Sequence, residues 1–98
     1  MIIGIVTGSA VAILKHEALR STKLLLVSPA SVHGEVCGNP FIAVDLVGAG
    51  EGELVVVSQG SSARLATGQN ASPVDAAIVG ILDSLSYEGE YSFRKGMN

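Results

Sequence analysis

Ile2-Ile3-Gly4-Ile5-Val6-Thr7-Gly8-Ser9-Ala10-Val11-Ala12-Ile13-Leu14 carries most of the information about how this chain folds. β-Branched side chains dominate it. They are stiff at χ1, lose freedom in a helix and pack well on a pleated surface. Two glycines, Gly4 and Gly8, interrupt the run, and glycines inside a strand mark bulges or tight bends where a small sheet curls. The stretch therefore predicts a long strand in a small sheet that curls on itself, a barrel. No basic region precedes it, and Lys15, His16 and Glu17 end the apolar run too early for a membrane span, so it reads as neither a targeting nor a spanning segment.

The rest of the chain repeats the theme in shorter pieces. Lys23-Leu24-Leu25-Leu26-Val27-Ser28 is an apolar run stopped by Pro29, and proline holds the residue before it extended. Residues 29–40 are small, polar or glycine-rich and read as an exposed loop. Phe41 to Val47 and Glu53 to Ser58 are two further strands, joined by the glycine turn Gly48-Ala49-Gly50-Glu51-Gly52. Ser61 to Ala66 predicts one or two helical turns capped by serines, broken at Thr67-Gly68-Gln69-Asn70. A second short helix is expected over Ser72-Pro73-Val74-Asp75-Ala76-Ala77, with Ser72 as cap and Pro73 in the first turn. A strand over 78–85 follows, then a hairpin edge through Gly89. The expected fold is mainly β: one domain over residues 1–98, with a five-stranded OB-like barrel over about 1–86 and a C-terminal extension over about 87–98.

Composition bounds the function. The chain has 98 residues, 48% of them hydrophobic, with a mean hydropathy of +0.49. A chain of this size hides only about 60–70% of its unfolded surface, so the apolar excess predicts an oligomer. Aromatics are 4% and the formal net charge is −3, which removes stacking platforms and a basic footprint and argues against nucleic-acid and anionic-membrane partners. Cys37 is the single cysteine; the lack of a disulfide framework points to a reducing compartment, the cytoplasm.

No catalytic set emerges. Ser61 and Ser62 sit beside glycine but outside an elbow pattern, and only His16 and His33 are available as imidazole bases. His33, Glu35 and Cys37 have metal-like spacing, yet structural zinc sites draw on two such pairs. No cofactor or metal is expected. Asp45, Asp75 and Asp83 border apolar runs and are read as caps of backbone N–H groups or as partners of Arg64, while Glu51 and Glu53 are read as solvated. The glycine turn at 48–52 matches neither a dinucleotide fingerprint nor a P-loop. Gly60-Ser61-Ser62-Ala63-Arg64 is the more suggestive segment: helix N–H groups, two hydroxyls and a guanidinium become a ring of donors, and so a pore lining, if five or six copies surround an axis.

Val44-Asp45, Val47-Gly48-Ala49-Gly50, Gly52-Glu53, Gly60-Ser61-Ser62-Ala63-Arg64, Pro73-Val74-Asp75 and Ile78-Val79-Gly80-Ile81-Leu82-Asp83 occur in an order and spacing that resembles the EutN/CcmL family, the pentameric vertex proteins of bacterial microcompartment shells. Val6-Thr7-Gly8 and Lys23-Leu24-Leu25-Leu26-Val27 agree with it, and the match covers roughly residues 1–85. The resemblance implies an OB-like barrel in a homopentamer, no enzymatic activity, and neighbouring subunits and hexameric shell tiles as partners. It also implies a pore-proximal role for Gly60, Ser61, Ser62, Ala63 and Arg64, and interface or structural roles for Asp45, Gly48, Gly50, Asp75, Gly80 and Asp83. A longer 28–40 loop and an extended tail depart from the shorter members. Two other readings follow from the residues: an OB-fold module that binds nucleic acid or a protein, and a small enzyme or metal protein built on His33, Cys37 and the aspartates.

Overall fold

β1 (Ile2–Ala10) shows why its glycines are needed. A Cβ at Gly4 would collide with Val27 Cγ1 and stand 3.1 Å from the Ser28 carbonyl oxygen, so only glycine lets the neighbouring strand lie this close. Beside Gly8 the register with β2 (Lys23–Pro29) slips: Val6 faces Val27 and Gly8 faces Leu26, leaving Thr7 as the extra residue of a bulge. Thr7 Oγ1 meets Ser28 Oγ at 3.1 Å across that irregularity. Bend and bulge together curl the sheet.

The computed structural model describes residues 1–13, 15–19, 22–68 and 74–96. After β1 come a single 3-10 turn at Glu17–Leu19, β2, β3 (Phe41–Asp45), β4 (Leu54–Gln59), one α-helix, α1 (Gly60–Thr67), and then β5 (Ala76–Ile81), β6 (Ser84–Tyr87) and β7 (Glu90–Arg94). Five strands close a barrel in the order β1-β2-β3-β5-β4, and β4 returns to β1 by antiparallel pairing of Ile2 with Val57 through Ile5 with Leu54. The β3–β5 seam is parallel, made by Val44 with Ala77 and Asp45 with Ile78.

Two apolar clusters hold this together. Val6, Leu25, Val27, Val55, Val57 and Ile78, each at most 2% exposed, fill the barrel. Val44, Ala63, Val74 and Ala77 form a second cluster, which seats α1. Burying a Val or Ile side chain contributes about 1.5–3 kcal/mol, so the barrel interior dominates the stability and α1 follows it.

Three segments depart from the boundaries expected from the sequence. β1 ends at Ala10, and Val11 and Ile13 are exposed instead of continuing the strand to residue 14; Leu14 itself lies outside the described residues. The helix expected over 72–77 is replaced, in its described part, by the start of β5: Ala76 and Ala77 pair with Gln59 and Ser58, because strand pairing outweighs the helix propensity of two alanines. Ser72 and Pro73 lie outside the described residues. The strand expected over 78–85 stops at Ile81, since Leu82 donates its N–H to the Leu54 carbonyl while Ser84 opens a separate two-stranded sheet.

That sheet, β6 with β7, is fastened to the barrel. Lys95 N donates to the Asp83 carbonyl at 2.7 Å, and Lys95 Nζ pairs with Glu53 Oε2 at 3.0 Å. Glu53 is therefore a partner of two segments, since its Oε1 also accepts from Gly50 N at 2.7 Å, and the expectation that it is merely solvated is corrected. The Lys95 hydrogen bond, the Gly50 N–H and the ammonium charge hold the Glu53 carboxyl below its ordinary range, and the same carboxylate raises Lys95. Phe93 lies under the 29–40 loop, where a Cβ on Gly34 (φ +78°) would come within 2.9 Å of its Cδ2.

Candidate functional site

β4 runs into α1 without a loop. Gln59 is the N-cap, extended at φ −128° and ψ 161° with no side-chain capping bond, and the two serines fall inside the first turn instead of capping it. Gly60 makes the entry possible: its φ of +60° is left-handed, where a side chain is strained. Its N–H donates to the Asp75 carbonyl at 2.8 Å, tying the helix start to the chain entering β5. Ser61 and Ser62 are exposed, Ala63 is fully buried against Val44, Val74 and Ala77, and Arg64 is half-buried.

Arg64 was expected to pair with an aspartate. Among the described residues it does not: its Nη1 donates to the Val74 carbonyl at 3.4 Å, and its own carbonyl accepts from Thr67 Oγ1 at 2.7 Å. The segment 74–75 emerges from the barrel with backbone carbonyls facing the helix, so a long cationic side chain meets a carbonyl before it meets a carboxylate. Gly68, left-handed at φ 74°, closes the helix by donating to the Leu65 carbonyl.

The remaining predicted residues divide by location. Asp45 Oδ1 accepts from three consecutive N–H groups, Val47 and Gly48 at 3.1 Å and Ala49 at 3.2 Å, and so builds the turn that Gly48 (φ +77°) completes. Gly50 is bound to Glu53. Gly80 lies in β5 opposite Val56, with room for a Cβ at 3.9 Å. Asp75 is exposed just before β5, and Asp83 stands just after it, at the hairpin base. The fold thus gathers Gly60 to Arg64 with Val74 and Asp75, and leaves the Asp45 turn and Asp83 as separate supports.

His33 is exposed and edge-on to Tyr87, with ring centroids 6.3 Å apart, and Cys37 is an exposed free thiol. Among the described residues no three His, Cys, Asp or Glu side chains come together to hold a metal, and no helix is long and apolar enough to cross a membrane. Sequence reasoning missed an exposed apolar set comprising Val11, Ile13, Ile42 and Leu65. The signal was present in the apolar run continuing past residue 10, where it reads equally as strand.

Among the described residues, the segment from Gly60 to Arg64 with Val74 and Asp75 is built of backbone turns, exposed hydroxyls and the half-buried Arg64. Comparison with known proteins identifies the family. Residues 1–83 match the protein-family model described as ethanolamine utilisation protein EutN/carboxysome, and the chain belongs to this EutN/CcmL family. It is 47% identical over 85 residues to the bacterial microcompartment shell vertex protein GrpN of Rhodospirillum rubrum, covering 87% of this chain and 96% of that one. The solved structure of GrpN, a pentameric microcompartment shell protein, superposes with a TM-score of 0.81 at 44% identity, covering 89% of this chain and 99% of GrpN. CcmL of Nostoc superposes with a TM-score of 0.89 at 38% identity, over 97% of this chain and all of CcmL. These relatives are structural shell proteins, not enzymes.

Proposed function

We infer that the protein is a structural vertex component of a bacterial microcompartment shell, a homopentamer in the bacterial cytoplasm with no enzymatic activity of its own. The observation that carries this is the near full-length likeness to pentameric GrpN, in sequence and in backbone. The physics fits the role. A flat lattice of hexagonal tiles curves shut only where five-fold units are inserted, and a heterologous interface that closes after five copies makes one. Hexameric shell tiles are accordingly the partners around it.

Gly60, Ser61, Ser62, Ala63 and Arg64 are placed next to the five-fold axis. What supports this is the small size of Gly60, Ser61, Ser62 and Ala63 where five copies must converge, the two exposed hydroxyls, and a helix start without a side-chain cap. Asp45, Gly48 and Gly50 then shape the turn, and Gly80 in β5, with Asp75 before that strand and Asp83 after it, faces a neighbour or supports the hairpin.

The role is tested by co-expressing hexameric tile proteins with and without this chain: closed polyhedral shells with it, and open sheets, tubes or shells with gaps at the vertices without it. Closed shells of equal integrity in its absence would overturn the role. For the axis, replacing Ser61 and Ser62 together by Val leaves the oligomer intact and removes axial water or anion from a crystal structure; an unchanged axial occupant would remove these residues from the pore.

A further inference from the structure

A bulge in the C-terminal hairpin decides which side chains share a face. Leu85 pairs with Phe93 and Ser86 with Tyr91, so Ser92 is the extra residue between them. In a regular strand side chains alternate, and Tyr91 and Arg94, three apart, would point to opposite faces. The extra residue puts them on the same one. The Arg94 guanidinium carbon lies 4.8 Å from the centroid of the Tyr91 ring, and Ser84 is the direct partner of Arg94 across the strands. Phe93 takes the other face, against Gly34. The bulge has a cost, since the Ser92 hydroxyl is buried without a partner among the described residues.

Asp83, Ser84, Tyr91, Arg94 and Lys95 line an open hollow of about 440 Å³, within the range of about 300–1,000 Å³ that small-molecule sites occupy. Its charges are unequally committed. Lys95 Nζ is held by Glu53 Oε2 at 3.0 Å. Arg94 has no carboxylate partner among the described residues, in a chain with nine acidic side chains against six basic ones. Stacking on Tyr91 occupies the face of the guanidinium and fixes its plane, while its N–H donors lie at the edge, in the fork that matches a carboxylate. The hydroxyls of Ser84 and Tyr91 add groups that both donate and accept. Asp83 puts an acid in the same lining. A multiply charged anion such as phosphate is therefore opposed, and a hydroxyl or ammonium group beside a ligand's carboxylate gains an acceptor.

We propose that this hollow binds a small carboxylic acid that carries a hydroxyl or amino group next to its carboxylate, with Arg94 as the bidentate anchor, Ser84 and Tyr91 as hydroxyl partners and Asp83 taking the second group. All five lining residues belong to one subunit, so the site stands apart from the contacts that close a ring and from the segment placed at the axis.

Tyr91 itself supplies the readout. The chain has no tryptophan and two tyrosines, so in Tyr87→Phe, which keeps an aromatic ring beside His33, the intrinsic fluorescence reports Tyr91 alone. Lactate, propanoate and inorganic phosphate are titrated into this protein in its native assembly, at neutral pH and constant ionic strength. Lactate is expected to give a saturating change with a midpoint of about 1–10 mM, as one bidentate anchor in an open hollow allows. Propanoate, which lacks only the hydroxyl, is expected to bind about threefold to tenfold more weakly, and phosphate to give no saturation in the same range. Arg94→Gln should remove the saturating change, and Arg94→Lys, which keeps the charge but not the fork, should weaken it by about tenfold.

A linear response to lactate, a midpoint that Arg94→Gln leaves unchanged, or equal midpoints for lactate and phosphate would overturn the site. Equal midpoints for lactate and propanoate would overturn the class of ligand. Should Arg94→Gln loosen the hairpin, seen by far-UV circular dichroism, Ser84→Ala decides, because it leaves the Arg94–Tyr91 stack in place. It is expected to weaken lactate by about threefold, and an unchanged midpoint there would overturn the proposal.

Discussion

The barrel wall and the C-terminal hairpin are both antiparallel β-structure, yet they are held by different physics. In the wall, β1 and β2 approach until only glycine fits at position 4, and Val6, Val27, Val55 and Val57 are at most 1% exposed. In the hairpin, Tyr87 is 50% and Tyr91 65% exposed, with Arg94 4.8 Å over the Tyr91 ring. Isolated two-stranded hairpins are marginal in water. This one is held by Phe93 under Gly34 and by the Lys95–Glu53 pair. One region is stable because it excludes water, and the other stays in place because it is pinned to the first. Perturbations of the wall should therefore be global, and those of the hairpin local.

The largest expected effect is in the wall. Gly4→Ala places a methyl group against Val27, and forcing it in is expected to cost about 2–3 kcal/mol, read as a fall in melting temperature of roughly 10 °C or more. A variant that melts with the wild type would mean that β1 and β2 are not so tightly apposed. Gly34→Ala comes next. Its positive φ and the 2.9 Å approach to Phe93 predict a loss of about 1–2 kcal/mol, confined to the hairpin. Amide exchange should quicken over residues 84–96 while the barrel strands keep their protection; uniform quickening would erase the distinction between the regions.

The smallest effect belongs to the ion pair. Glu53→Gln should speed hairpin exchange by roughly twofold, as removal of an exposed pair does, and leave the melting temperature nearly unchanged. The pH dependence has a definite sign. Glu53 is lowered from its ordinary 4.5, so its contribution is present above that value and fades as pH falls through the lower folded value. Lys95 is raised from 10.5, so its contribution is complete below that value and fades as pH rises through the higher folded value. The hairpin is pinned between these limits and loosens outside them. Hairpin protection factors, the observed exchange rates divided into the intrinsic rates at each pH, that stay flat from neutral pH down to pH 3 would contradict the role given to the pair.

The same contrast explains what could be read in advance. Strands β2, β3 and β4, the glycine turn and the place of α1 were legible because periodicity, Pro29 and Gly48 to Gly52 act locally. Gly8 announced a bulge for the same reason, whereas the close approach of β2 at Gly4 was decided by Val27 and Ser28 across the sheet. What failed was decided by partners distant in the chain. Val11 and Ile13 read as strand, since an apolar residue facing the core and one left exposed on the subunit look alike in sequence. Ala76 and Ala77 read as helix until Ser58 and Gln59 claimed them as strand partners. Arg64 seemed destined for an aspartate, because the Val74 carbonyl in its path is a backbone group that no sequence pattern displays. The candidate site was legible as a segment but not as a surface, since Ser61 and Ser62 are exposed on one subunit.

The central claim is that these surfaces exist for copies of the same chain. Light scattering of the purified protein in line with size exclusion tests it most directly. The account predicts a single species near five times the 10.0 kDa subunit mass, stable on dilution through the micromolar range. A stable monomer at the same concentrations would contradict it.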